Sequence, residues 1–170
     1  MRNRCRSTAA VALLVLLSFP AIGGSLFGMD KTAGGSDVES LAHSDPVLER
    51  NNRRLVSAYA LAVGLYGYSS WWRSDRSDFH FANEGWFGQD TYRGGADKVG
   101  HAYATYLSTR ALRAAYEYIG NDRGSALKMA AWTAGATSLG IEMLDGFTEK
   151  FGFSWEDLVM ALAGVGLGVW

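Results

Sequence analysis

The sequence predicts an all-α protein: a small bundle of about four helices, membrane-embedded or membrane-associated, after an N-terminal signal segment. Three observations lead to this prediction. The 170 residues include only 2 prolines, so long helices can run without interruption. Uncharged apolar stretches alternate with short charged ones, and their apolar positions recur at the spacing of a helix face. The first apolar stretch is short and follows a basic N-terminus, as in an export signal.

The N-terminus predicts export from the cytoplasm. Residues 1–6 are basic and residues 8–17 are apolar and uncharged. Cleavage is expected just after Gly23, which makes residues 1–23 a signal peptide, and an uncleaved signal anchor is the alternative. Residues 24–44 are small and polar and are interpreted as a linker to a helical domain over residues 45–170. We therefore expect a periplasmic or cell-envelope protein that is associated with the membrane.

The composition excludes several classes of function. A net charge of -1 provides no basic field for nucleic acid. The single cysteine, Cys5, precedes the apolar stretch, so it is not placed to accept a lipid. One cysteine also allows neither an internal disulfide nor a thiolate metal site. The sequence contains no HExxH or GxSxG motif and no phosphate-binding glycine loop, so it names no reaction, and whether the protein is an enzyme stays open.

Asp45 and Pro46 predict the start of the first helix, because aspartate caps helices and proline fits the first helical position. Residues 55–72 carry no charge and end in aromatic side chains. About 18 such residues qualify as a candidate transmembrane span, and a long core helix is the alternative. Three arginines within residues 50–54 precede this stretch. Export would leave them outside the cytoplasm, against the usual preference of basic residues for the inside, so the topology stays open.

Three further helices follow a polar, aromatic and glycine-rich connector over residues 73–96. We predict them over about 96–118, about 124–146, and from near Trp155 to the end of the chain. Ser154 is placed to cap the last helix. Gly164 and Gly168 are four residues apart, a spacing that permits close approach of another helix.

Ionisable residues interrupt these apolar helices at a few positions. Asp97 and His101 are four residues apart, and Glu142 and Asp145 are three apart, so each pair shares a helix face. Because a buried charge is costly unless it is paired, we expect these groups to converge. The predicted polar network consists of Asp97, Lys98, His101, Glu142, Asp145, Ser154 and Asp157, and its candidate catalytic residues are His101, Glu142, Asp145 and Asp157.

Three interpretations of this network stay open. It can be structural, tying helix ends together with Lys98 as the counter-charge. His101 and the carboxylates can instead bind a divalent metal ion, with hydrolysis as the associated chemistry. The third interpretation is a binding site for a lipid head group or another polar ligand.

Four strings of residues form a recognisable pattern: NEGWF (83–87), GGADKVGH (94–101), EMLDGF (142–147) and FGFSWEDL (151–158). Over about residues 80–170 this pattern resembles the YfiM-like family of predicted periplasmic (lipo)proteins, whose function is unknown. The resemblance implies that residues 45–170 form a helical envelope domain of that type. More distantly, the order of acidic, basic and histidine residues is similar to that of VanZ-like membrane proteins.

Two positions depart from the patterns of these families. Asp145 stands where a glutamine is expected, and Ala161 stands where both families place an asparagine. The expected function is that of an exported, membrane-associated protein of unknown activity that binds a lipid or glycan precursor. The alternative is a metal-dependent hydrolase acting on a lipid-linked envelope substrate. The expected partners are membrane or envelope lipids and other envelope proteins, without nucleic acid, and a divalent metal ion is the one cofactor considered.

Overall fold

The computed structural model describes residues 45–73, 76–88 and 90–170, so the predicted signal segment and linker lie outside the described residues. Within that part of the chain the structure has four α-helices and no strand, which confirms the predicted all-α class. The helices are α1 (Pro46–Gly67), α2 (Ala96–Tyr118), α3 (Arg123–Asp145) and α4 (Trp155–Val169).

Helix α1 begins where the sequence predicts it. Asp45 Oδ1 accepts a hydrogen bond of 2.8 Å from the backbone N–H of Val47, and Pro46 takes the first helical position. The helix ends at Gly67 and continues as one π-helical turn over Tyr68–Trp72. Of the helices that the structure describes, none is both long and apolar enough to cross a bilayer, so the predicted transmembrane span is not supported. The uncharged residues 55–72 include eight that are serine, tyrosine or glycine, and these lower the hydropathy of the stretch.

Helices α2, α3 and α4 pack together, and glycines bring α2 and α4 especially close. A Cβ atom on Gly164 would lie 2.0 Å from the carbonyl oxygen of Ala102, and one on Gly168 would lie 2.7 Å from Thr109 Cβ. The close approach predicted for these two glycines is therefore confirmed. The core that the three helices share consists of Leu112, Tyr116, Ala126, Ala130, Ala134 and Val165.

Polar contacts hold α1 against the other helices at both ends. The side-chain amides of Asn52 and Asn121 exchange two hydrogen bonds, of 3.0 and 2.7 Å. At the far end, the indole Nε1 of Trp72 donates to Asp145 Oδ1 at 2.6 Å. The start of α1 thus lies at the α2–α3 turn, and the residues after α1 reach the other end of the bundle. We call this second end, where α3 ends and α2 and α4 begin, the polar end.

The connector between α1 and α2 is fastened to the α3–α4 loop. The backbone N–H of Ala82 donates to the carbonyl of Phe153, and the N–H of Phe153 donates to the carbonyl of His80, both at 2.9 Å. Phenylalanine rings from both segments stack edge to face over this contact. Just before α2, Gly95 has a φ of 83°, and a Cβ atom there would lie 2.4 Å from the ring of Phe87. Only glycine fits this position, and the contact directs the connector over the polar end.

Candidate functional site

The first turns of α2 bring Asp97, Lys98 and His101 to the polar end. The side chain of Lys98 is 0% exposed, and its Nζ donates to Asp157 Oδ1 at 3.2 Å and to Glu84 Oε2 at 3.3 Å. Burial opposes the charge of this ammonium, but the hydrogen bonds and charges of Asp157 and Glu84 outweigh it and raise the pKa of Lys98. The group therefore remains a cation inside the protein.

Glu84 joins the cluster from the connector, and the sequence analysis did not include it in the network. Its pKa is raised, because burial and the negative charge of Asp157 outweigh the hydrogen bond and charge of Lys98. Glu84 belongs to an irregular segment, so helical spacing could not assign it to a face. The one sequence feature that could have drawn attention to Glu84 is its place in the string at residues 83–87, which carries part of the family resemblance.

Ser154 links the end of α3 to the start of α4. Its Oγ accepts from the backbone N–H of Asp157 at 3.2 Å, which confirms the predicted cap. Its own N–H donates to Glu142 Oε2 at 3.3 Å. Asp157 is 4% exposed in the first turn of α4, where the helix dipole favours a carboxylate. These contacts bring Glu142 and Asp157 to neighbouring positions.

The imidazole of His101 lies between two carboxylates. Its Nε2 is 3.8 Å from Asp97 Oδ2, and its Nδ1 is 3.8 Å from Glu142 Oε1. Glu142 is 3% exposed, and burial raises its pKa to about 8. The negative charges of Asp145, Asp157 and Glu84 act in the same direction, against the N–H of Ser154.

Three of these residues are arranged as candidate ligands of a metal ion. Asp97, His101 and Asp157 each present one ligand atom, and these atoms all lie within 4.8 Å of one another. The ligand atoms around a bound ion are about 3–4 Å apart, so small side-chain rotations would bring them into range. Asp97 and His101 are partly exposed, which leaves the group open to solvent. Carboxylate oxygen with imidazole nitrogen suits divalent ions such as Mn²⁺ and Zn²⁺.

Asp145 has a different position from the other candidate catalytic residues. The structure brings His101, Glu142 and Asp157 together, whereas Asp145 Oδ1 accepts from the indole of Trp72. Asp145 acts on Glu142 through its charge, which contributes to the raised pKa of that acid. Their spacing along the sequence predicts both acids on one helix face. Their spacing of three residues turns them by about 60°, enough for Glu142 to meet α2 and α4 while Asp145 meets the residues after α1.

Two tryptophans lie beside the acids. The rings of Trp86 and Trp155 meet edge to face with centroids 5.0 Å apart, and both are partly open to solvent. Trp155 is followed by the buried Glu156, whose Oε2 accepts from Ser154 Oγ at 3.4 Å. The connector and the start of α4 thus place two aromatic rings together at one side of the site. The sequence of either segment alone does not predict this contact between Trp86 and Trp155.

Comparison with known proteins shows the family of the chain. Residues 83–170 match the family described as predicted periplasmic lipoprotein (DUF2279), which is more than half of the chain and includes every charged residue of the cluster described above. No curated protein and no solved structure matches the chain. The family match supports neither the YfiM-like name nor the similarity to VanZ-like proteins. The matched residues contain no cysteine, since the one cysteine is Cys5. The chain belongs to the DUF2279 family of predicted periplasmic lipoproteins, a family of unknown function, and is a protein of the periplasm or cell envelope.

Proposed function

We propose that this protein binds a divalent metal ion at its polar end and uses that ion to hydrolyse a lipid-linked envelope substrate. One observation carries the proposal: ligand atoms of Asp97, His101 and Asp157 lie within 4.8 Å of one another. The two elements that supply them, α2 and α4, are held in register by the salt bridge from Lys98 to Asp157. The ligand group is therefore built on helices rather than on mobile loops, as precise metal sites require.

The balance of charge at the polar end favours a cation. The carboxyl groups of Glu84, Asp97, Glu142 and Asp157 surround one ammonium and one imidazole, so acidic groups outnumber basic ones even while Glu142 keeps its proton. Mutual repulsion contributes to the raised pKa of Glu84 and of Glu142. A divalent ion between the carboxylates would relieve that repulsion, because it offers two positive charges at close range.

Each residue of the cluster has a role in this proposal. Asp97, His101 and Asp157 hold the ion, and Glu142 orients the imidazole from its other nitrogen, as carboxylates do for metal-bound histidines. Lys98 fixes Asp157 through Oδ1, and the described residues leave Oδ2 without a hydrogen bond. The bound ion would supply an activated water for hydrolysis. Support for a lipid-linked substrate comes from Trp155, an exposed aromatic side chain two residues before Asp157.

Metal binding by the purified protein tests the proposal. Zn²⁺, Mn²⁺ and Mg²⁺ are titrated separately by calorimetry, and bound metal is counted by elemental analysis after dialysis. We expect about one ion per chain and a loss of affinity of roughly 10- to 100-fold in His101→Ala. His80→Ala is the matched control, because His80 lies outside the ligand group, and it should bind like the parent. Hydrolysis of a lipid-linked phosphoester, measured with and without chelator, tests the second step.

Two results would contradict this function. A parent protein that binds none of the three ions excludes the metal centre. Equal metal affinity in His101→Ala and in the parent, with both proteins folded by circular dichroism, excludes the assigned ligands. If the protein bound one metal ion per chain but hydrolysed no substrate, only the enzymatic part of the proposal would be contradicted.

A second candidate function is the binding of a lipid or glycan precursor without turnover. The observation that favours it is the partly exposed edge-to-face pair of Trp86 and Trp155 beside the acids. Aromatic rings with one apolar face and a polar edge suit amphipathic ligands. In this case Trp155→Ala should weaken ligand binding, measured by tryptophan fluorescence, while its metal content stays that of the parent.

A further inference from the structure

Helix α4 presents an uncharged surface to its surroundings. Residues 158–170 contain no charged side chain, and their one hydrogen-bonding side chain is the indole of Trp170. The outer side of α4 carries Val159, Leu162 and Leu167, and all three are exposed. A water-soluble bundle usually places charged residues on this outer side of a helix.

A stripe on α3 continues this surface. Trp132, Leu139 and Met143 recur at the spacing of one helix face, and they too are exposed. The side chain of Leu162 lies over α3, since its Cδ2 is 3.6 Å from where a Cβ atom on Gly135 would stand. We call the joined surface the α3–α4 apolar face. It consists of Trp132, Leu139, Met143, Val159, Leu162 and Leu167, whose exposed fractions are 42–62%.

The contact between α2 and α4 inside the bundle is formed largely by small and hydroxyl residues, in contrast to the large apolar residues of the exposed face. Where α2 meets α4, Thr105 Oγ1 donates to the carbonyl of Ala161 at 2.7 Å, and Gly164 lies against the backbone of Ala102. At this contact small and hydroxyl residues lie between the helices, although the core that the three helices share also contains Leu112, Tyr116 and Val165. This arrangement is typical of helices that associate in lipid, where close packing and interhelical hydrogen bonds replace the hydrophobic effect. A contiguous exposed apolar surface of this kind marks a binding surface.

The charges around the face indicate lipid as its occupant. Arg123 and Lys128 are exposed on the first turns of α3, and neither forms an ion pair with another described residue. Lys128 lies four residues before Trp132 and thus on the same stripe of α3. Basic groups bordering an apolar surface suit anionic headgroups above acyl chains. A protein partner would be expected to meet a surface with more polar groups, because protein interfaces are about as polar as the rest of a protein surface.

We propose that the α3–α4 apolar face lies among the acyl chains of a bilayer with anionic headgroups, and that Lys128 and Arg123 contact those headgroups. Helix α4 is about 22 Å long and would lie along the membrane with its outer side in lipid. Trp170, at the end of α4, is fully exposed and suits the boundary between headgroups and acyl chains. This surface is separate from the cluster around His101, so it does not depend on metal binding.

Vesicle flotation of the full chain tests the face. The vesicles contain phosphatidylcholine alone or with about a third phosphatidylglycerol. We expect the parent to bind the anionic vesicles better, and Leu162→Glu with Leu167→Glu to weaken that binding at least about 10-fold. Leu61→Glu with Leu65→Glu is the matched control, because these two leucines of α1 are at least as exposed as the two of α4. The α1 variant should bind within about twofold of the parent.

Tryptophan quenching by lipids with brominated acyl chains is the second measurement, because residues 8–17 are apolar and can bind vesicles themselves. We expect quenching in the parent and a reduction by at least half when Trp132, Trp155 and Trp170 are replaced together by Phe. The proposal is overturned if the α4 variant binds like the parent and this quenching is absent, or if the α1 variant loses as much binding. A dimer in light scattering that Leu162→Glu with Leu167→Glu converts to a monomer, with no vesicle binding by the parent, would overturn it in favour of a second copy.

Discussion

Glu142 shows at the scale of one residue how the fold changes an ordinary acid. The carboxyl lies at the end of α3, where burial and nearby acids raise its pKa to about 8 from an ordinary value of 4.5. The folded protein therefore holds the proton more tightly than the unfolded chain between these two values. By linkage, the stability that this group contributes is fully present below pH 4.5 and is lost as the pH rises through 8.

Replacing Glu142 by Gln should remove this dependence on pH. The amide stays neutral and can still accept the hydrogen bond from Ser154, so we expect a flatter stability profile between pH 5 and 8. At pH 8.5 the variant should be more stable than the parent by roughly 1–3 kcal/mol. The free energy of unfolding is measured by urea titration at pH 5, 7 and 8.5 in the presence of chelator. Glu149→Gln, at an exposed position, is the control. If the stability of Glu142→Gln fell with pH as steeply as that of the parent, the dependence on pH could not be assigned to Glu142.

Helix α4 shows at the scale of an element why two neighbouring glycines have opposite roles. Gly164 faces α2, where a Cβ atom would lie 2.0 Å from the carbonyl oxygen of Ala102. Gly166 faces outward, and a Cβ atom there would meet nothing within 4 Å. The first glycine is needed for packing, while the second only lowers the helix propensity of the segment.

The substitutions Gly164→Ala and Gly166→Ala test this difference as a matched pair. Gly164→Ala should lower the free energy of unfolding by about 1–3 kcal/mol, because backbone cannot rotate out of the way as a side chain can. Gly166→Ala should raise the free energy of unfolding by about 0.5–1 kcal/mol. Urea titration of both variants gives the two values. If both substitutions raised the free energy of unfolding, α2 and α4 would not be in close contact at Gly164.

The whole molecule divides into a tightly packed group of α2, α3 and α4 and a more loosely attached α1. Gly67 is the one fully buried residue of α1, whereas each of the other helices buries at least five. The attachment of α1 depends on the amide pair of Asn52 and Asn121 and on the bond from Trp72 to Asp145. Segments with few buried contacts open at a lower free energy than the rest of a protein.

Hydrogen exchange followed by mass spectrometry should therefore find that α1 exchanges before the other three helices. Trp72→Phe keeps an aromatic ring but removes the donor to Asp145, so it should speed exchange in α1 by about 10-fold or more. Trp132→Phe, at an exposed position, is the control and should leave α1 unchanged. Uniform protection across the four helices would contradict the proposed division.

The sequence by itself determined the helices, because capping, proline placement and apolar spacing are interactions between residues a few positions apart. The starts of α1 and α4, capped by Asp45 and Ser154, follow from such local rules. The absence of charge over residues 55–72 was a weaker guide, since it does not distinguish a membrane span from an uncharged helix rich in serine, tyrosine and glycine.

Only the tertiary structure decided which charged groups meet. Lys98 pairs with Glu84 and Asp157, residues 14 and 59 positions away along the chain. Glu142 and Asp145 diverge because they lie against different helices. The outward direction of the apolar residues of α4 was decided in the same way: a pattern shows that a helix has an apolar side, but the packing of the other helices determines which side is left uncovered.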